Sequence, residues 1–433
     1  MTIVQLTPGA AGMHCGGCMR DNAIVTALRK LGHDALMVPL YTPLTTDETD
    51  TSSTKVFFGG LNVWLQQQAG IFRRTPKWLD NRFDSPALLN FISRFAGMTR
   101  PEELGEMTVS MLLGEDGRQA KELDKLIEFL KSGVKPEVVC LSNALLIGMA
   151  RKLKAELSVP VVCTLQGEDS FVDGLPEPHR TKAWETLIAR AAEIDAFIPV
   201  SRYYGEVMRE RMKLEADRIK PVWNGIDVSG YTPSEREPEA PTIGFLSHMI
   251  PAKGLPILVD AFKLVREKIP NARLRVGGSL PPQSRAYVDK LQQDLKREGL
   301  AAAVDFQPNL SREEKVRFLQ SLSVLSVPAT YGEAFGLYLL EALACGVPVV
   351  QPRHGAFPEI IEATGGGVLC EPGSARDLSD KLIGLLQDPA RRRSLGTGGR
   401  ERVLAHFTVE RAAREVADVF AWAKENQKGR NGQ

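Results

Sequence analysis

The residues best equipped for chemistry cluster in one run, Tyr331-Gly-Glu-Ala-Phe-Gly-Leu-Tyr-Leu-Leu-Glu341-Ala-Leu-Ala-Cys-Gly-Val-Pro-Val-Val350. An apolar strand at Leu322–Val327 feeds a loop holding Gly332 and Gly336, and a helix is expected from near Gly336. The first N–H groups of a helix lack intrahelical partners, and the helix dipole adds partial positive charge there. The N–H groups of Ala334, Phe335, Gly336 and Leu337 would therefore suit a diphosphate. Glu333 precedes the helix and Glu341 lies on it. A carboxylate accepts two hydroxyl protons at once, which matches a ribose cis-diol or a sugar diol. Two glutamates at this spacing are a weak motif alone, equally compatible with acids on a water-facing helix. The glycines, the preceding strand and the Gly346-Val-Pro-Val that follows favour a ligand site.

Two other stretches carry reactive or charged residues. His14-Cys15-Gly16-Gly17-Cys18 holds a Cys-x-x-Cys spacing in a loop entering a helix, where a thiolate is stabilised. It is open to a redox reading and to half of a zinc site. It also fits a glycine loop that approaches a ligand, with small cysteines beside it; this last is the favoured reading, because no second Cys-x-x-Cys completes a metal set. Ile71-Phe72-Arg73-Arg74-Thr-Pro-Lys77-Trp78-Leu79 is basic and aromatic. It fits contact with an anionic membrane surface, but Pro76 interrupts the pattern, so an ordinary surface helix or loop that packs one aromatic face inward is the favoured reading.

The surrounding elements read as two α/β series. In the first, Ile3–Leu6 is a strand, Pro8–Gly17 a glycine-rich loop, Met19–Leu31 a helix ended by Gly32, and Ala35–Leu40 a second strand. Strand, glycine loop, helix, strand opens a doubly wound parallel domain. Residues 60–130 are expected to be a helical insertion. Short apolar runs at Val138–Leu141, Val159–Leu165, Ala196–Val200 and Ile219–Val222 read as buried strands. The linker-like Thr232–Pro241 then introduces a second series, with strands at Thr242–Leu246, Leu274–Val276, Val304–Phe306, Leu322–Val327 and Val347–Gln351. Helices are expected from Pro256, Pro282, Ser311 and Gly336, and a last one over Val409–Lys424.

Composition sets the limits. The 433 residues are enough for two domains. With 43% hydrophobic and 25% charged residues, the chain is expected to be globular rather than disordered. Lys plus Arg number 54 against 53 acids, so a dedicated nucleic-acid binder is not expected. No apolar run reaches membrane-spanning length, the N-terminus does not read as a signal peptide, and six cysteines do not make a disulfide framework. A cytoplasmic protein is expected, and the basic aromatic run leaves open a place at the inner face of the membrane.

The C-terminal half resembles the retaining nucleotide-sugar glycosyltransferases of the GT-B fold, glycosyltransferase family four. Glu333–x7–Glu341 looks like that family's signature, and Val222-Trp-Asn224-Gly225-Ile-Asp227 like its segment at the domain junction. Ile243–Ala261 with Lys253-Gly254, Val276-Gly277-Gly278-Ser279 and Phe357-Pro358-Glu359-Ile360-Ile361 also fit. In the N-terminal half, Gly16-Gly17 fits the acceptor-side glycine loop and Val200-Ser201 a strand end. The resemblance implies an α/β protein of two Rossmann-like domains facing across a cleft. The acceptor side would occupy residues 1–228 and the donor side 229–405, and a last helix over 406–433 would cross back.

The resemblance also implies roles. Lys253 would meet the charge of the departing diphosphate together with the amides near Gly336. Glu333 would contact donor-sugar hydroxyls, Glu341 the ribose, and Ser279 would line the donor site. No cofactor or obligatory metal is expected, and partners would be a nucleotide-sugar donor and a sugar, glycan or lipid-linked acceptor. Two positions depart from the pattern. His248 stands where the family usually has arginine, and Gln166 where many members have histidine. A histidine is often neutral at pH 7, and glutamine is no general base. These departures keep a second reading open, a nucleotide-sugar or glycan binder with little or no turnover. Sugar epimerisation by a GT-B relative is a third, less favoured by Glu333, Glu341 and Lys253 together.

Overall fold

The computed structural model describes residues 1–9, 16–41 and 101–431. His14, Cys15, the basic aromatic run at 71–79 and most of the expected insertion at 60–130 lie outside the described residues. The chain forms two compact units. One comprises Met1–Trp223 with Val409–Gln433, and the other Asn224–Thr408. The division falls at Trp223 rather than 228 and the second unit ends at Thr408 rather than 405, while the last helix starts at Val409, where its apolar spacing begins. Asn224–Asp227 goes with the second unit for a local reason. The Ile226 N–H donates to the Phe407 carbonyl at 2.9 Å, and Arg312 binds both the Asp227 carbonyl and its carboxylate at 3.2 Å.

The first unit is built on a parallel sheet of β1 (Thr2–Thr7), β2 (Asp34–Pro39), β3 (Val138–Leu141), β4 (Val161–Leu165) and β5 (Ala196–Pro199). Their order is β2-β1-β3-β4-β5. Every residue of β3, β4 and β5 is buried, as expected where helices cover both faces of a parallel sheet. Gly16 and Gly17 are not in a loop; they are the first residues of the helix Gly16–Lys30. Ile219–Val222 is not a strand. Ile219 makes a single bridge to Phe197, and Lys220 and Val222 donate to Phe197 and Pro199 along the edge of β5. The helix Val409–Asn431 buries Ala412, Ala413, Val416, Phe420 and Ala423 against Ile24, Leu28 and the strands of this unit. That spacing is one helical face, which explains why this segment belongs to the N-terminal unit.

The second unit has a six-stranded parallel sheet: β6 (Thr242–Leu246), β7 (Arg273–Gly278), β8 (Val304–Pro308), β9 (Val324–Leu325), β10 (Val349–Pro352) and β11 (Gly367–Cys370). Their order is β11-β10-β9-β6-β7-β8. The chain runs outward from β6 to β7 and β8, then returns to the other side at β9. The order therefore reverses between β6 and β9, and the crevice beyond the strand C-termini at such a point is where open α/β sheets bind ligands. The first unit has the same kind of reversal between β1 and β3. No helix among the described residues is long and apolar enough to cross a membrane.

Candidate functional site

In the second unit, the segments leaving β6 and β9 meet. After β6 the chain turns through His248 to a short 3-10 turn, Pro251–Lys253, and enters the helix Leu255–Lys268. Gly254 makes that entry possible. Its φ is +80°, and a Cβ there would stand 1.8 Å from the Pro328 carbonyl oxygen in the segment after β9. Thr330 donates its N–H to the Ala252 carbonyl at 2.9 Å, so the two segments are laced together. The result is an ion pair between Lys253 Nζ and Glu333 Oε2 at 2.5 Å, with side chains only 10% and 15% exposed. The hydroxyls of Tyr331 and Tyr338 stand 3.4 and 3.3 Å from the same oxygen, and Lys253 lies 5.0 Å from the centre of the Tyr331 ring.

Electrostatics follow from this packing. Burial works against the Lys253 ammonium, but the Glu333 carboxylate, with Tyr331 beside it, outweighs it and raises its pKa above the ordinary lysine value. Burial, with Glu333 alongside, pushes the Tyr338 hydroxyl far up, so it stays a neutral donor. His248 hydrogen-bonds Ser279, which follows β7. Desolvation, with Lys253 nearby, lowers the His248 pKa, so the ring is neutral at pH 7. The Met249 N–H reaches back to the Ser279 carbonyl at 2.9 Å, fixing the turn.

The loop after β10 supports Glu333 from below. Ala356 donates its N–H to the Glu333 carbonyl at 2.9 Å, and His354 Nε2 donates to the Ala329 carbonyl at 2.8 Å. Gly355 has φ +62°, and a Cβ there would come within 2.6 Å of the Glu333 nitrogen. Gly336, with φ +92°, then starts the helix Leu337–Ala344 with no side-chain cap. Ala334, Phe335 and Gly336 are buried and Leu337 is half-buried. Their N–H groups sit at the end of the helix that attracts anions.

Glu341 lies one turn along that helix and does not join Lys253. Its Oε1 accepts from the Tyr231 hydroxyl at 2.8 Å and pairs with Lys315 Nζ at 2.8 Å. Neither Tyr231 nor Lys315 stands out in the sequence. Lys315 sits in the first turn of Arg312–Gln320, a helix set by a Ser311–Glu314 capping box, which aims it at Glu341.

In the first unit, Gly17 and Gln166 meet. Gln166 Nε2 donates to the Ser142 carbonyl at 2.6 Å, which leaves Oε1 on the Gly17 side. A Cβ at Gly17 would stand 3.3 Å from that oxygen, whereas Gly16 has open space. Buried Glu168 organises this corner. Its oxygens accept the N–H groups of Ala144, Gln166 and Gly167 at 2.8, 2.7 and 2.8 Å. Burial raises its pKa although those amides pull the other way. Cys18 is buried and accepts a hydrogen bond from Thr7 Oγ1 at 3.5 Å. Among the described residues no group of three His, Cys, Asp or Glu side chains is placed to hold a metal ion.

Two family patterns match side by side along the chain. The pattern of Glycosyl transferases group 1 matches residues 232–402, which hold Lys253, Glu333 and Glu341, and that of Glycosyltransferase Family 4 matches residues 106–229. Over these two stretches the chain resembles the group 1 and family 4 glycosyltransferases. One relative of this chain, from Corynebacterium glutamicum, is a GDP-mannose-dependent monoacylated alpha-(1-6)-phosphatidylinositol monomannoside mannosyltransferase. It is 30% identical over 215 residues, covering 46% of this chain and 54% of the relative. A D-inositol 3-phosphate glycosyltransferase of Stackebrandtia nassauensis is 28% identical over 259 residues, covering 57% of each. The chain thus spans little more than half the length of these relatives.

Solved structures extend the likeness in fold to nearly the whole chain. The sucrose-phosphate synthase of Thermosynechococcus elongatus superposes with a TM-score of 0.69 at 18% identity, covering 97% of this chain and 98% of that one. Anabaena HepE, solved in complex with UDP, gives 0.68 at 16% identity, covering 97% and 100%. The chain has the GT-B fold of two Rossmann-like domains.

Proposed function

We propose that the protein transfers a hexosyl group from a nucleoside diphosphate sugar to an acceptor hydroxyl, with retention of configuration. The observation that carries this reading is the Lys253–Glu333 pair at the β6/β9 reversal, beside the N-terminus of the helix that bears Glu341. Lys253 and the amides of Gly336 and Leu337 oppose the negative charge that grows as the diphosphate leaves. Glu333 holds donor-sugar hydroxyls, and Glu341 holds the ribose. His248 and Ser279 line the same edge and add hydrogen-bonding capacity rather than fixed charge. A lysine and a helix N-terminus together supply what a divalent cation would otherwise supply, so the reading requires no metal. The acceptor hydroxyl attacks on the face from which the diphosphate departs. Gly16, Gly17 and Gln166 belong to the acceptor side, where Gln166 offers an oxygen to a substrate hydroxyl.

The C. glutamicum relative is named for a phosphatidylinositol-linked acceptor, which supports including lipid-linked sugars among the candidates. The test is a turnover panel. UDP-, GDP- and ADP-hexoses are offered with sugar and lipid-linked acceptors in the presence of a chelator, and release of the nucleoside diphosphate is followed. Release from one donor class, lost in Glu333→Gln, is the expected result. Saturable donor binding with no release under any acceptor would favour the binder that His248 and Gln166 suggest.

A further inference from the structure

The contacts of Glu341 are divided unequally between its two oxygens. An ionised carboxylate is an acceptor with about four lone-pair sites. Both protein donors fall on Oε1: Lys315 Nζ at 2.8 Å and the Tyr231 hydroxyl at 2.8 Å. Among the described residues both donors lie on Oε1 and none on Oε2, and the Glu341 side chain is 15% exposed, so Oε2 is open to a ligand.

The donors themselves are held. Tyr231 is buried, Arg312 lies 5.5 Å from the centre of its ring, and Arg400 donates to its carbonyl at 2.8 Å. Arg312 is itself fixed on Asp227 and on the Ser229 carbonyl. Lys315 is only 15% exposed and stands on a capped helix. Burial and the neighbouring Glu341 push the Tyr231 hydroxyl far above its ordinary pKa, so it remains a donor. The carboxylate is therefore neutralised, locked in rotation and left with one working oxygen.

We propose that Lys315 and Tyr231 clamp Oε1 of Glu341 so that Oε2 alone receives the ribose hydroxyls of the donor, which makes Lys315 a positioning residue for ribose recognition. This rests on the donor-site reading above. A locked acceptor with no alternative partner penalises a ligand that lacks the matching hydroxyl, because the oxygen is then left unsatisfied. Without Lys315 the carboxylate turns toward water, and the missing hydroxyl costs little.

The experiment is calorimetry on the full chain. UDP, GDP and ADP are titrated first, and the tightest binder is then compared with its 2′-deoxy and 3′-deoxy forms. Wild type is expected to discriminate against at least one deoxy form by roughly tenfold, the scale of one hydrogen bond to a charged group. Lys315→Met is expected to bring that ratio below about threefold, Lys315→Arg to restore it, and Tyr231→Phe to lower it in part. A ratio unchanged in Lys315→Met and in Tyr231→Phe overturns the proposal. So does an equal loss for ribose and deoxyribose ligands, which would mark a purely structural role. Failure of wild type to bind any of the three diphosphates overturns the donor-site reading itself, and the proposal with it.

Discussion

Replacing Lys253 by methionine keeps the apolar stem of the side chain and removes its charge. Glu333 is then left as an unpaired carboxylate, 15% exposed, with the Tyr331 and Tyr338 hydroxyls at 3.4 and 3.3 Å as its remaining partners. Breaking a fully buried ion pair from one side costs about 3–5 kcal/mol. Residual exposure and two tyrosine donors reduce that here to about 2 kcal/mol. The second unit has about 185 residues, for which each kcal/mol moves the melting temperature by about 2–4 °C, so its transition is expected to fall by about 4–8 °C. The double variant Lys253→Met/Glu333→Gln leaves no charge behind and is expected to recover more than half of the loss. Scanning calorimetry reads both.

The same substitution has a separate effect on binding. A charge-assisted contact to phosphate is worth about 1.5–3 kcal/mol, so the nucleoside diphosphate is expected to bind at least about tenfold more weakly, while the free nucleoside is unaffected. The raised lysine pKa sets the pH behaviour. The pair's contribution is fully present below pH 10.5, the ordinary lysine value, and fades only as pH climbs through the higher folded-state value. A melting temperature within about 1 °C of wild type, or equal weakening of nucleoside and diphosphate, would refute the reasoning.

Four further substitutions probe the supports. Gly355 and Gly365 both have φ +62°, but a Cβ at Gly355 meets the Glu333 backbone at 2.6 Å while Gly365 has open space. Gly355→Ala is therefore expected to abolish donor binding, and Gly365→Ala to cost only about 1–2 kcal/mol of stability, as calorimetry and denaturation will show. Glu168→Gln disturbs the acceptance of three buried N–H groups and is expected to cost about 1–3 kcal/mol. Because the folded-state pKa of Glu168 is raised above 4.5, the wild type loses stability relative to this variant as pH rises above that value, and denaturant titrations across pH 4–7 check the sign. His248 is held neutral at pH 7, so His248→Arg adds a fixed charge and is expected to tighten diphosphate binding by about three- to tenfold, measured by titration at pH 7.

The parallel strands were legible where burial is complete. Val138–Leu141 and Thr242–Leu246 read to the residue because strands covered on both faces are unbroken apolar runs. The same rule misreads Ile219–Val222, which is equally apolar but lies along β5 with a single bridge. It also lengthens β9, where only Val324 and Leu325 pair; the chain beyond bonds irregularly to Gly244 and Ala252 as it bends toward Glu333. Glycine composition at 365–367 hides β11. Lys253, Glu333 and Glu341 were legible because they sit in a recognisable local pattern. Tyr231 and Lys315 were not, because they meet Glu341 from 110 residues upstream and from a separate helix, and one sequence carries no sign of that approach. Glu168 is similar, a charged residue whose burial beneath three backbone amides only the fold reveals.

The central claim is that the β6/β9 reversal of the second unit seats a nucleoside diphosphate. A crystal structure of the protein with the tightest-binding nucleoside diphosphate tests it most directly. The account expects the phosphates against Lys253 and the amides of Gly336 and Leu337, and the ribose on Oε2 of Glu341. Phosphates bound elsewhere on the chain, or a ribose that leaves Glu341 untouched, would contradict it.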